Sequence, residues 1–147
     1  MASCIFCDFI KKNKKVHENP YKRPNKKYPV VPIDETKETF SFLSIPNNKG
    51  ISDLLIIPKK HFRYLSVVPK DILSELISDV AEKSNILRKK YSGCTITLNE
   101  GKSARQYISH VHFHLTPKNN DKSESWVNLS VNQFKALSKE LKSIFSR

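Results

Sequence analysis

The chain has 147 residues, enough for one domain with its own core, and 26 Lys and Arg against 14 Asp and Glu give a net charge of +12. That excess favours anionic partners: nucleotides, nucleic acid or an acidic membrane surface. A mean hydropathy of −0.49, with no apolar run near the roughly 18 residues of a membrane helix, argues against a membrane-spanning protein. The brief apolar start lacks a basic leader, so a cytoplasmic protein is expected. Three cysteines, an odd number, argue against a disulfide framework.

The first motif is Cys4-Ile5-Phe6-Cys7. A C-x-x-C pair is a redox pair, half of a metal site, or two structural thiols. A thioredoxin-type pair follows a strand inside a βαβ unit, and only three residues precede Cys4. Half of a zinc site fits better and asks for two more ligands, for which histidine is the natural choice. Residues 11–27 read as a basic loop carrying Lys11, Lys12, Lys14, Lys15, Lys22, Arg23, Lys26 and Lys27, with Pro20 and Pro24 breaking any helix. The loop either lines the mouth of an anion site or is simply solvated. His17 within it is expected in water.

Residues 28–33 are expected as an edge strand, because Pro29 and Pro32 cannot donate to a ladder. Residues 39–45 form a second strand, Pro46 to Gly50 a turn, and residues 53–57 an apolar, central third strand. Pro58 ends it, and His61 follows closely enough to be brought beside the cysteine pair. Residues 69–91 are the main helix, with Ile72, Leu73, Leu76, Ile77, Val80, Ala81, Leu87 and Tyr91 on one face. Asp71 suits its first turn, Arg88, Lys89 and Lys90 its last, and Gly93 its C-terminal cap. Cys94 reads as a buried small hydrophobe.

Residues 95–99 are a fourth strand, residues 100–106 a polar loop, and residues 107–116 a fifth strand. The last two strands make an antiparallel hairpin that puts Asn99 beside the fifth. Residues 117–125 form another polar loop. Ser130 and Gln133 make a capping box that opens a last helix with Phe134, Leu137, Leu141, Ile144 and Phe145. The expected fold is α+β: one domain over 1–147, an antiparallel five-stranded sheet with a long helix packed on it and a C-terminal helix.

The fifth strand carries the informative stretch, Ser109-His110-Val111-His112-Phe113-His114-Leu115-Thr116. On a strand the three imidazoles share one face, about 6.5 Å apart at the backbone, and the three apolar residues share the other. Three of the five histidines at alternate positions make a functional cluster the expected reading. Its chemistry is either metal ligation or phosphate chemistry with one histidine as nucleophile.

The His110-Val111-His112-Phe113-His114 core, with Leu115 and Thr116, resembles the histidine triad (HIT) motif. Cys4-Ile5-Phe6-Cys7, Leu55-Ile56-Ile57-Pro58-Lys59-Lys60-His61 and Asn99-Glu100-Gly101 stand in that family's order and rough spacing, over residues 3–118. The C-terminal helix, 130–147, lies outside the resemblance. The resemblance implies an α+β fold, usually a homodimer, that hydrolyses or transfers at nucleotide phosphates. It implies His112 as nucleophile on the α-phosphorus, His114 and Asn99 as phosphate contacts, and Gln106 near the scissile bond. It is closest to zinc-bearing bacterial-type members, which implies a structural zinc on Cys4, Cys7, His61 and His110, a Cys₂His₂ set.

The sequence departs from the family's pattern on the substrate side. Ser44 stands where an acidic ribose ligand is common, and Ser52-Asp53 where Gly-His is frequent. Arg105 replaces a glycine and Tyr107 a small hydroxyl residue, both adding bulk beside the phosphate. Ser44, Arg105 and Tyr107 are therefore expected to shape substrate choice.

The function expected first is a nucleotide phosphohydrolase or nucleotidyl transferase. It would cleave dinucleoside polyphosphates or nucleoside phosphoramidates through a covalent nucleotidyl-histidine. From another class, the charge of +12 admits a zinc-stabilised nucleic-acid-binding module, although no aromatic RNA-binding signature or basic recognition helix supports it. A hybrid would act on adenylylated or capped nucleic-acid ends. A third reading has the triad bind a catalytic metal directly.

Overall fold

The computed structural model describes residues 4–18 and 27–146. The cysteine motif forms a short helix, α1 (Ile5–Ile10), with Cys4 at its N-cap. Phe6 and Phe9, three apart, share its buried face. Two short strands follow, β1 (Val16–Glu18) and β2 (Lys27–Pro29), paired antiparallel as a separate ribbon. The expected loop over 11–27 is thus corrected at both ends. Three residues are too few to show a period, and the Val30 amide closes the ribbon on the Lys15 carbonyl at 2.8 Å. Lys22, Arg23, Lys26, Pro20 and Pro24 of that segment lie outside the described residues.

The main sheet contains β3 (Asp34–Glu35), β4 (Thr39–Leu43), β5 (Leu54–Pro58), β6 (Gly93–Leu98) and β7 (Phe113–Lys118). All neighbours are antiparallel, in the order β3-β4-β5-β7-β6. Five strands were expected, but the edge partner of β4 is β3, not residues 28–33. The two prolines in that stretch interrupt it, so β2 joins the small ribbon and β3 alone enters the sheet. No helix among the described residues is long and apolar enough to cross a membrane.

Alternation along the strands separates two apolar layers. Leu54, Ile56, Val111, Phe113 and Leu115 face one side, with α2 (Lys70–Tyr91) and α3 (Val131–Phe145) packed there. Phe40, Phe42, Leu55 and Ile57 face the other, covered by Phe6 and Phe9 of α1. The capping box is present: Ser130 Oγ accepts from the Gln133 amide and Gln133 Oε1 from the Ser130 amide. Phe134, Leu137, Leu141 and Phe145 bury the inner face of α3.

Two details of α2 differ from expectation. Its buried stripe is Ile72, Leu76, Asp79, Val80, Lys83 and Leu87, while Ile77 and Ala81 are exposed. Lys83 reaches past the apolar ring into an ion pair with Asp79, and its Nζ lies 2.6 Å from Asp34 of β3. Thr39 donates to Asp79 at 2.8 Å. A charged pair four apart looks solvated in sequence, and here it ties the helix to β3 and β4 instead. The turn out of α2 is made by Ser92 at φ 79, and Gly93 already begins β6.

Candidate active site and metal cluster

The histidine stretch reaches the sheet later than expected. Hydrogen-bonded pairing with β5 and β6 begins at Phe113, so His110 and His112 lie on the approach and only His114 is inside β7. The Val111 amide bonds instead to the Phe62 carbonyl at 2.7 Å. The alternation survives: Val111, Phe113 and Leu115 enter the helical core, and His110 and His112 face Phe6 of α1. Phe6 stands edge-on to both His110 and His112, at centroid distances of 5.9 and 5.2 Å.

Four side chains converge at the foot of α1. His110 Nδ1 lies 3.5 Å from Cys4 Sγ, 3.6 Å from Cys7 Sγ and 3.2 Å from His61 Nδ1, and Cys7 Sγ lies 3.4 Å from His61 Nδ1. All four donor atoms fall within 4.8 Å of one another. Zinc bonds of about 2.0–2.3 Å in a tetrahedron imply edges of roughly 3.3–3.8 Å, so these residues fit that ion. His110 Nε2 donates to the Pro58 carbonyl at 2.8 Å, which fixes the tautomer and leaves the Nδ1 lone pair facing the thiols. Burial first, then His61 nearby, lowers the His110 pKa to about 4, while the Pro58 bond acts the other way. Burial, then Cys4, raises the Cys7 thiol to about 11. A cation placed among them would displace thiol protons.

On the other side of Phe6 lies a cavity of about 380 Å³. His112 and His114 line it, their rings 4.8 Å apart. His112 Nδ1 donates to the His110 carbonyl at 2.7 Å, so its Nε2 carries the lone pair. Burial, chiefly, brings the His112 pKa down to about 4, with His114 and His110 adding to the effect and the carbonyl bond opposing it. The imidazole is therefore neutral across physiological pH. His114 Nδ1 meets Asp53 Oδ2 at 3.1 Å, and its Nε2 is buried without a hydrogen-bond partner.

Asn99, Ser44, Arg105 and Tyr107 line the same cavity. Ser44 Oγ accepts from the Asp53 amide at 2.9 Å. Arg105 sits at φ 67, a left-handed conformation natural to the glycine it replaces, and Tyr107 is 70% exposed. Gln106 is placed otherwise than expected. Its Nε2 donates to the Arg63 carbonyl at 2.8 Å and its Oε1 accepts from the Gly101 amide at 2.9 Å. Both ends of the amide are used to fold the 101–106 loop, and Gln106 does not line the cavity.

Two titratable lining residues escape the sequence reading, Asp53 and His17. Asp53 shows in the sequence only as a departure from the family's pattern. Its signal was its place two residues before Leu55, which pairs with His114 across β5 and β7. His17 was expected in water. It lines the cavity with its ring 5.2 Å from Phe9, and burial lowers its pKa to about 4. No local pattern announced it.

A sequence profile of the HIT domain matches residues 26–121. The chain belongs to the HIT family. A HIT-family relative, the adenosine 5'-monophosphoramidase HNT1 of Candida albicans, is 33% identical over 126 residues, covering 82% of this chain and 73% of its own. The crystal structure of a histidine triad nucleotide-binding protein from Candida albicans superposes with a TM-score of 0.64 at 30% identity, over 96% of each chain. A Zn-bound HIT protein from Mycobacterium smegmatis shares the fold at 23% identity, with a TM-score of 0.64 over 96% of each chain.

Proposed function

We infer that this HIT protein is a nucleotide hydrolase or nucleotidyl transferase, with nucleoside phosphoramidates as its first substrate class. The Candida albicans phosphoramidase relative supports that class. Dinucleoside polyphosphates are the second class. One observation carries the reading: Nδ1 of a buried His112 is tied to the His110 carbonyl at 2.7 Å, leaving a neutral Nε2 beside a cavity of nucleotide size.

The Nε2 lone pair attacks the α-phosphorus. A P–N bond to His112 forms as the bond to the leaving group breaks; phosphate departs with the bonding pair, and an amine departs with that pair and a proton taken from solvent. Water then attacks the same phosphorus and returns a proton to solvent, the P–N bond to His112 breaks with its pair going back to Nε2, and the nucleoside monophosphate leaves. His114 and Asn99 hold the phosphoryl oxygens in place. Ser44, Ile45 and His17 take the nucleoside end. Arg105 and Tyr107 stand at the leaving-group end, and Gln106 holds the loop that presents them.

Zinc is assigned to Cys4, Cys7, His61 and His110, whose donor set and spacing suit it. When bound it supplies charge for the two thiolates and a fixed anchor for α1. The protein is expected to be a homodimer, with the open edge of β6, where Ile96 is exposed, as its contact strand.

The test is a trapped turnover. Wild type and His112→Ala are mixed with an adenosine phosphoramidate or diadenosine tetraphosphate, quenched in base and weighed intact. An AMP-sized adduct on wild type alone supports the reading. Unchanged turnover by His112→Ala overturns it.

A further inference from the structure

His112 and His114 share one layout, with Nδ1 anchored and Nε2 making no hydrogen bond among the described residues, but their anchors differ. His112 is held by a backbone carbonyl, His114 by a carboxylate. That carboxylate, Asp53, has both oxygens committed: Oδ2 to His114 Nδ1 at 3.1 Å and Oδ1 to the Thr116 hydroxyl at 2.6 Å. Thr116 lies two residues beyond His114, so the two contacts clamp one stretch of β7. The Asp53 main chain is fixed as well. Its amide donates to Ser44 Oγ at 2.9 Å and its carbonyl accepts from the Ser44 amide at 2.8 Å. A side chain held at both oxygens and on both sides of its backbone has little freedom to leave His114.

His114 Nε2, the opposite nitrogen, is buried and has no hydrogen-bond partner in the protein. A polar atom in that state costs free energy unless something enters to meet it. The residue lines the cavity and its ring lies beside that of His112. A phosphoryl group under attack by His112 would therefore come within reach of it. Asp53 decides which nitrogen faces that group. With the Nδ1 proton directed at the carboxylate, Nε2 is the atom left for the phosphoryl oxygens, to which it donates once it carries a proton of its own, the carboxylate balancing that charge.

We propose that Asp53 is a positioning residue of this enzyme, acting through His114 to present Nε2 to the transferring phosphoryl group, with Thr116 holding the carboxylate in register. The proposal rests on the reading of His112 as nucleophile. It places a carboxylate–histidine couple where the resemblance implied His114 alone as a phosphate contact.

The experiment uses the zinc-loaded full chain with Asp53→Ala, Asp53→Asn, Thr116→Val and His112→Ala. The substrate is an adenosine phosphoramidate, and ¹⁵N NMR of the imidazoles accompanies the kinetics. Asp53→Ala is expected to lower kcat about 10²-fold with KM little changed. It is also expected to move the His114 nitrogen shifts away from a single Nδ1-protonated form. Asp53→Asn keeps the shape and removes the charge, so it stands in if the alanine variant melts. It is expected to lose at least tenfold in kcat, and Thr116→Val a few-fold. Unaltered His114 shifts together with kcat within twofold of wild type in Asp53→Asn overturn the proposal. Should His112→Ala remain active, the nucleophile reading fails instead, and the His114 shifts still decide the role of Asp53.

Discussion

Phe6 stands edge-on to His112, ring centroids 5.2 Å apart and planes at 86°, while its neighbours at the ends of the same C-x-x-C motif point to the metal cluster. One six-residue helix and its N-cap thus supply two thiols on one side and a wall of the cavity on the other. A helix that short has no stability of its own in water. It is held by Phe6 and Phe9 in the sheet and, in the proposed function, by the ion.

Metal removal should therefore act through α1. Zinc at 100 to 1,000 times its Kd stabilises by about 3–4 kcal/mol, roughly 10 °C in Tm for a chain of this size. Chelation is expected to lower Tm by that amount and to weaken nucleotide binding, with both restored on adding zinc. Cys4→Ser should show the lower Tm from the start and respond little to chelator. Calorimetry with and without chelator checks this.

The protonation of His112 gives a second prediction. Its pKa lies near 4, because burial disfavours the charged ring, and the lone pair is lost only below that value. NMR of the His112 ring should show the neutral form from pH 8 down to 5, with the transition near 4. The acid limb of kcat/KM due to this residue should fall in the same place. A His112 transition at pH 6 or above would contradict it.

His17 makes stability depend on pH in a known direction. Its pKa is 6.5 in an unfolded chain and about 4 here, so between these values the unfolded state binds the extra proton. Stability from this group is complete above about pH 6.5 and is lost as pH falls toward 4. His17→Phe, which keeps the ring against Phe9, should flatten that part of the curve. Urea midpoints at pH 7 and 4.5 for both proteins measure the difference.

The Lys83 ion pair with Asp79 and Asp34 predicts a large effect far from the cavity. Lys83→Met fits the space but leaves the carboxylates without their ammonium, an expected loss of about 3–5 kcal/mol. Turnover per folded molecule should not change. Urea unfolding, with activity measured below the transition, separates the two.

Much of this was legible because it obeys short periods. Alternation in β4, the apolar run of β5, the helical spacing in α2 and the Ser130 and Gln133 box all predict their elements. That Cys4, Cys7, His61 and His110 come together followed from the C-x-x-C spacing and the family resemblance. What escaped depends on long-range contact. His17 is half-buried, its ring against Phe9 of α1 from a three-residue strand. Lys83 is buried because β3, 49 positions earlier, supplies Asp34. Gln106 has its amide committed to Arg63, 43 positions away, which no local pattern encodes.

His110 has two attachments of different chemical kinds. Its ring belongs to the cysteine cluster, while its carbonyl oxygen orients His112. Every amino acid has that oxygen. The side chain at position 110 can therefore be exchanged without removing the group that sets the tautomer of His112. The proposed nucleophile and the proposed metal site are coupled here by adjacency along the chain, not by a shared functional group, so that one can be inherited without the other.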